Sequence, residues 1–298
     1  MNKVIVICGP TASGKTQFAH SFAKKNNGEI VNADSMQLYK QLPILTSSPQ
    51  QELKKEIPYH LYNFLDIKSE YCVSKYAKEA AKKIKNISSR CKLPVLVGGS
   101  GMYISALING FSIIPDIDPI IRTRVRKLQS MLPFKDFFNL LIQSDSEVLY
   151  SLNIKDSQRV ARAYEVYLQT GRSIYHYQKN NIKLLDKFSF EITLLLPNRS
   201  SLYEMCNKRL EKIFKIGAVE EVQRIISKDQ NIKTSAMKSL GVQEIISYLR
   251  GDISIDEALI KTQIRTRQYA KRQITWFKNQ IKEKRVLEFS EIPTIQVS

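Results

Sequence analysis

Gly9-Pro10-Thr11-Ala12-Ser13-Gly14-Lys15-Thr16 follows closely on Val4-Ile5-Val6-Ile7, and these two stretches decide the fold. The longer one meets G-x-x-x-x-G-K-[ST] at every fixed position, the pattern of a loop that cradles phosphate. Its glycines let the backbone curl so that N–H groups converge on phosphate oxygens, and the helix that follows adds the positive end of its dipole. Lys15 supplies mobile charge in such a loop. Thr16 offers a hydroxyl to the Mg2+ that accompanies a diphosphate or triphosphate held this way. The flanks agree, because a β-branched run leads in and Thr16 to Lys25 carries Phe18, Ala19 and Phe22 on one helical face. A ligand-free glycine turn is the weaker alternative. The expected class is α/β, with a P-loop NTPase-like parallel sheet core.

At 298 residues, one such core plus one substantial insertion or appendage is the natural division. The 46 Lys plus Arg against 28 Asp plus Glu leave a net charge of +18, which points to a nucleic acid or another polyanion. A general enrichment in Lys, Ile and Asn is a second source of the same surplus. Cys8, Cys72, Cys91 and Cys206 form no C-x-x-C pair, so neither a metal site nor a disulfide framework can be drawn from them. They suit a reducing, cytoplasmic setting. No stretch approaches the apolar length of a membrane span, and the first strand begins within a few residues of Met1, which leaves no room for a signal peptide.

Glu29-Ile30-Val31-Asn32 reads as a second strand, and Asp34 lies just past its carboxyl end, where parallel sheets gather their ligands. With Gln37 three residues on, Asp34 also fits a helix N-cap. Ser74 to Lys92 has helical apolar spacing. Leu93-Pro94-Val95-Leu96-Val97 is a third strand running into Gly98-Gly99-Ser100-Gly101. No Asp follows Val97 to hold magnesium as a nucleotide hydrolase requires. The glycines suit close approach of a substrate to the backbone, with Ser100 as a hydrogen-bonding group, or a plain tight turn. Phe111 to Asp118 reads as an exit from the core into a helical segment lasting to about Lys187. It carries Arg122, Arg124 and Arg126, then a helix opened by Asp156-Ser157-Gln158-Arg159 and closed at Gly171. Arg159 and Arg162 share a face of that helix, which a simple solvated surface explains better than a binding role. Phe190 to Leu196 returns as a strand, and a long helix with Arg209 follows.

The last hundred residues read as helical, broken at Gly217, Gly241 and Gly251, with Ile253 to Lys284 as the main helix. Lys261, Arg265, Arg267, Lys271, Arg272, Lys278, Lys282, Lys284 and Arg285 face a single acid, Glu283, across that stretch. Tyr269, Trp276 and Phe277 are interleaved with them, a mixture suited to phosphates and stacked bases. A basic solvent face with its aromatics on the core is the alternative.

Taken in order, Gly9 to Thr16, Asp34-Ser35-Met36-Gln37, Gly98-Gly99-Ser100-Gly101-Met102-Tyr103, Asp156 to Arg159 and Lys271-Arg272-Gln273-Ile274-Thr275-Trp276-Phe277 resemble the bacterial-type tRNA dimethylallyltransferases. The resemblance runs from the first strand to about Lys278. It implies transfer of a dimethylallyl group from dimethylallyl diphosphate to the exocyclic amine of the adenosine 3′-adjacent to the anticodon. It also implies a catalytic core of residues 1–110 and 188–298, with a basic helical C-terminal region and an inserted all-helical domain of residues 111–187. By that resemblance Gly9 to Thr16 take the diphosphate, with Thr16 toward Mg2+, and Asp34 and Ser100 are catalytic; Arg209, on the long helix after the returning strand, is a candidate clamp for the diphosphate. Asp34, Ser35, Met36, Gln37, Ser100, Arg122, Gln158, Arg159, Val160, Ala161, Arg162, Lys238, Gln243, Lys271, Arg272, Gln273, Trp276 and Lys278 would meet the tRNA anticodon stem-loop, with the protein a monomer. Ser100 stands where the family usually has Thr, Ser157 where it has Pro, Ser48 where Lys is common, and Val242-Gln243 where Tyr-Arg is expected. A small-molecule or nucleoside P-loop kinase is the rival enzyme, with Asp34 as base and Arg199 and Arg209 as clamp. It leaves the basic helix without a task. An RNA-binding protein with an inactive loop leaves Lys15, Thr16 and Asp34 unexplained.

Overall fold

The computed structural model describes residues 2–150, 156–230, 232 and 234–289. Strand β1 (Lys3–Cys8) enters the phosphate loop and helix α1 (Lys15–Lys25) leaves it, with Gly14 in the left-handed region at φ 75°. Then come β2 (Gly28–Asn32), α2 (Gln51–Glu56), β3 (Tyr59–His60), α3 (Val73–Ser89), β4 (Leu93–Gly98) and α4 (Gly101–Ile108). The apolar spacing of α3 is used in full: Tyr76, Ala77, Ala80, Ala81, Ile84 and Ile87 are all buried. A second compact unit intervenes, after which β7 (Ser189–Pro197) returns to the sheet.

Six strands pair in the order β3-β2-β4-β1-β7-β8, every pair parallel, where β8 is Arg285–Phe289. Near-continuous apolar runs such as Val4–Cys8 and Pro94–Val97 are buried throughout, as strands covered on both faces must be. The chain winds to one side of β1 through β2 and β4 and to the other through β7 and β8. The carboxyl end of β1 therefore lies at the reversal of strand order, where open sheets of this kind bind ligands. Strand β8 corrects the expectation that the last hundred residues are wholly helical. Its Val286, Leu287 and Phe289 suit an edge strand, but cations and acids around them mask the pattern.

The second unit, Asn109–Lys183, contains α5 (Pro119–Met131), α6 (Phe134–Ser144), α7 (Ser157–Thr170) and α8 (Ile174–Gln178). A short antiparallel pair, β5 (Phe111–Ser112) with β6 (Asn181–Ile182), joins its entry to its exit. That pair corrects the expectation that the inserted segment is all-helical. Val125, Phe137, Leu141, Val160, Ala161 and Tyr164 form part of its core. Helix α7 starts where Asp156 accepts from Arg159 N and stops where Gly171 turns left-handed at φ 67°.

Beyond β7, α9 (Arg199–Lys215) is capped by Asn198, and α10 (Ala218–Lys228) and α11 (Val242–Leu249) lead to α12 (Ile255–Gln280). A full capping box of Ser254 and Glu257 starts α12. Ile281 leaves helical geometry with ψ 105°, so the helix ends short of Lys284. Leu202, Cys206 and Ala270 join α9 to α12, with Ala12 of the phosphate loop packed against them.

Candidate active site

The phosphate loop borders a cavity of about 650 Å3 whose wall includes Thr11 to Gln17, Asp34, Ser47, Ser48, Lys54, Arg209 and Lys212. Lys15 folds back onto its own loop, donating to Pro10 O at 3.2 Å. Burial lowers the Lys15 pKa, and the Asp34 carboxylate partly offsets that. Arg209 reaches in from α9 and donates Nε to Ser47 Oγ at 2.8 Å, Nη2 to Thr46 O at 3.0 Å and Nη1 to Thr11 Oγ1. Burial pulls this guanidinium below its ordinary pKa as well, again opposed first by Asp34. The segment that Arg209 grips is itself held by α10: Glu221 accepts from Ile44 N and Leu45 N, each at 2.8 Å.

A second cavity of about 250 Å3 is lined by Thr11, Asp34, Met36, Leu45, Thr46, Arg209, Lys238, Ser239, Leu240, Arg265, Tyr269 and Arg272. Thr11, Asp34 and Arg209 thus belong to both walls, with the phosphate loop on one side and the basic helix α12 on the other.

Asp34 is not a helix cap. Residues 35–38 form turns, Asp34 Oδ1 accepts from Met36 N at 3.1 Å, and Asp34 N donates to Asn32 Oδ1 at 2.8 Å. Gln37 donates instead to Thr46 O and Ser47 O, both at 3.0 Å, so no capping box forms. Ser100 reaches Asp34's neighbour because β4 ends against Ala33. A Cβ on Gly98 would stand 2.0 Å from Ala33 O, and only glycine permits that approach. Ser100 Oγ then accepts from Ser35 N at 2.9 Å and donates to Ser35 Oγ at 3.1 Å. Tyr269 completes this corner; burial and the Asp34 charge both raise its phenol pKa, and the Arg272 charge and a hydrogen bond with Ser100 oppose them.

The remaining expected RNA contacts divide by environment. Lys271, Arg272 and Lys278 are exposed on α12, with Arg272 over the Tyr269 ring, and Trp276 is half-buried against Gly101. Lys238 and Gln243 are exposed, Gln243 donating to Met237 O at 3.1 Å. Gln273 corrects expectation: it is 5% exposed and both ends of its amide are bonded within the protein. Arg122, Gln158, Arg159, Val160, Ala161 and Arg162 belong to the second unit. Arg122, Gln158 and Arg159 are exposed there, Gln158 accepting from Arg126 at 2.9 Å and Arg159 paired with Asp156 at 3.0 Å. Arg162 reaches Glu165 at 3.4 Å. Val160 and Ala161 are fully buried, so contact with RNA through their side chains is ruled out. Tyr269, Thr46, Ser47 and Glu221 carry no assignment from the sequence. Only Tyr269 leaves a trace there, as an aromatic among cations.

These features define a class, a P-loop α/β protein whose phosphate-loop cavity shares a wall with a second, cationic cavity. The family described as IPP transferase matches residues 37–280. A tRNA dimethylallyltransferase of Rickettsia canadensis (strain McKiel) is 50% identical over 291 residues, 97% of this chain and 89% of that protein. Another from Rickettsia felis (strain ATCC VR-1525 / URRWXCal2) is 48% identical over 289 residues, covering 97% and 94%. Among solved structures, the full-length tRNA isopentenylpyrophosphate transferase of Bacillus halodurans superposes with a TM-score of 0.68 at 29% identity, over 97% of this chain and 90% of that one. A eukaryotic dimethylallyltransferase acting on tRNA gives 0.78 at 27% identity, over 97% and 74%. The chain belongs to the IPP transferase family.

Proposed function

We propose that this protein transfers a dimethylallyl group from dimethylallyl diphosphate to the exocyclic amine of the adenosine 3′-adjacent to the anticodon of tRNA, releasing diphosphate. The observation that carries this reading is the wall of Thr11, Asp34 and Arg209 shared by the phosphate-loop cavity and the cavity beneath α12. A donor on the loop and an amine entering from the α12 side meet at that wall. Ile44, Leu53, Ile213 and Ile216 on the donor side suit a branched hydrocarbon chain.

As the allylic carbon–oxygen bond breaks, negative charge grows on the departing diphosphate. Lys15, the loop N–H groups and Arg209 then stabilise the transition state more than the ground state. The adenine nitrogen forms the new carbon bond and yields its proton to Asp34, which also orients the amine. Ser13 Oγ and Ser48 Oγ are buried on the donor wall without a protein partner, places where diphosphate oxygens can be satisfied. The same wall offers the Thr16 hydroxyl and the Asp34 carboxylate, oxygen donors that suit Mg2+. Thr16 and the donor's phosphates would hold that ion, which supplies charge neutralisation to the leaving group. Lys54 and Lys212 border the cavity and provide the cations that Ser48 does not. The target base must leave its stack to reach Asp34 and Ser100, at a cost of a few kcal/mol. Exposed Lys271, Arg272 and Lys278, with Arg122, Gln158 and Arg159 of the second unit, are the groups that hold the RNA against that cost.

The test is incubation with bulk tRNA and dimethylallyl diphosphate, followed by mass analysis of nucleosides. An adenosine heavier by one dimethylallyl group is the expected product. Steady phosphate release from ATP without prenylated nucleoside would return the protein to the kinase or hydrolase class.

A further inference from the structure

Gln273 stands where two loops of the site meet α12. Its Oε1 accepts from Thr11 N at 2.8 Å and its Nε2 donates to Gly99 O at 2.8 Å. The partners fix which way the amide points, since Thr11 N–H can only donate and the Gly99 carbonyl can only accept. From Thr11 the string continues through its hydroxyl to Arg209. Past Gly99, the next residue is Ser100, whose hydroxyl holds Ser35. On the same helix Tyr269 lies beside Ser100 and Trp276 against Gly101. One carboxamide therefore spans the gap between the loop that takes the phosphates and the loop that faces the acceptor.

We propose that Gln273 is a positioning residue that registers the phosphate loop against the Gly98–Gly101 loop, so that donor carbon and acceptor amine reach reacting distance. The inference rests on the prenyl-transfer reading of the site. Each loop binds its own ligand through its own groups, so removal of the bridge leaves ground-state binding largely in place. Relative placement suffers instead, and misplacement of reacting groups by about 1 Å costs on the order of a hundred-fold in rate.

Two substitutions separate this role from a general contribution to folding. Gln273→Met keeps approximate length and removes both polar ends. Gln273→Glu restores the bridge only when protonated, because the acid then donates to Gly99 O and accepts from Thr11 N, whereas the carboxylate turns lone pairs toward the Gly99 carbonyl. Burial favours the protonated form. The experiment is single-turnover transfer with saturating anticodon stem-loop RNA and dimethylallyl diphosphate at about pH 8 and about pH 6, each variant divided by the parent at the same pH. Binding of inorganic diphosphate is measured alongside. Gln273→Met should be roughly ten- to a hundred-fold slower at both pH values with diphosphate affinity little changed. Gln273→Glu should match it at the higher pH and recover toward the parent at the lower.

Parent-like rates in both variants, a fall in diphosphate binding in step with the rate, or a Gln273→Glu deficit that ignores pH would each overturn the proposal. A parent protein that makes no prenylated adenosine would overturn the functional reading and this inference together, which keeps the two failures distinct.

Discussion

Asp34 is held by a turn of its own making, with Oδ1 engaged by Met36 N and its backbone N–H by Asn32. That leaves a carboxylate fixed on the wall of both cavities, close enough for its charge to oppose the burial effects on Lys15 and Arg209. Asp34→Asn keeps the shape and the turn but removes the proposed proton acceptor. Single-turnover transfer should fall on the order of a hundred-fold or more, while diphosphate binding changes little. A rate equal to the parent's would reduce Asp34 to a turn former. The residue types at this site are legible in the sequence, because a phosphate loop and a carboxylate past a strand end are both spelled by short local patterns. Gln273 is legible only as part of a motif. Its two partners lie 262 and 174 residues away, and no spacing rule announces a contact over such a distance.

The basic and aromatic character of helix α12 is plain in the sequence, yet which face does which work depends on its packing. Ala270, Gln273 and Phe277 turn inward while Lys271, Arg272 and Lys278 stay exposed. The outward set should meet phosphate, so Lys271→Ala/Arg272→Ala should flatten the salt dependence of tRNA binding by roughly one unit of slope for each phosphate no longer neutralised. An unchanged slope would make the face merely solvated. Strand β2 offers a test of a different kind. Its buried Glu29 is bonded to Arg90 after α3 at 2.6 and 2.8 Å, to His60 of β3 at 2.8 Å and to Lys92 before β4 at 3.3 Å. The Arg90 hydrogen bonds outweigh burial and, with His60 and Lys92, bring the carboxyl from 4.5 to about 2. A depressed carboxyl pKa gives stability that is present above 4.5 and lost as pH falls toward 2. Glu29→Gln should therefore be less stable than the parent at neutral pH by on the order of 3 kcal/mol in urea unfolding. The gap should close across that acid window; a gap independent of pH would refute the linkage.

At the scale of the whole molecule, the two compact units differ in how readily sequence discloses them. The sheet core follows from apolar runs punctuated by glycine, whereas β8 and the β5–β6 pair are short and charged or polar, and only pairing defines them. The register Ser112↔Asn181 puts entry and exit of the second unit side by side. Replacing residues 113–180 with a tight turn should therefore leave a core that still binds diphosphate, with tRNA modification abolished. Failure of that core to fold or to bind diphosphate, seen by circular dichroism and calorimetry, would show that the second unit is needed for the first. The bridge from Thr11 to Gln273 has a further consequence, for the timing of biosynthesis. The phosphate loop leaves the ribosome ahead of α12, and the amide that braces it comes 262 residues later. At ordinary elongation rates of roughly 5–20 residues per second, that interval is on the order of tens of seconds. Until it has passed, a nascent chain holds its phosphate loop without the brace from α12 and without that helix's exposed cations, so the wall shared by the two cavities takes its final form only after α12 has been made.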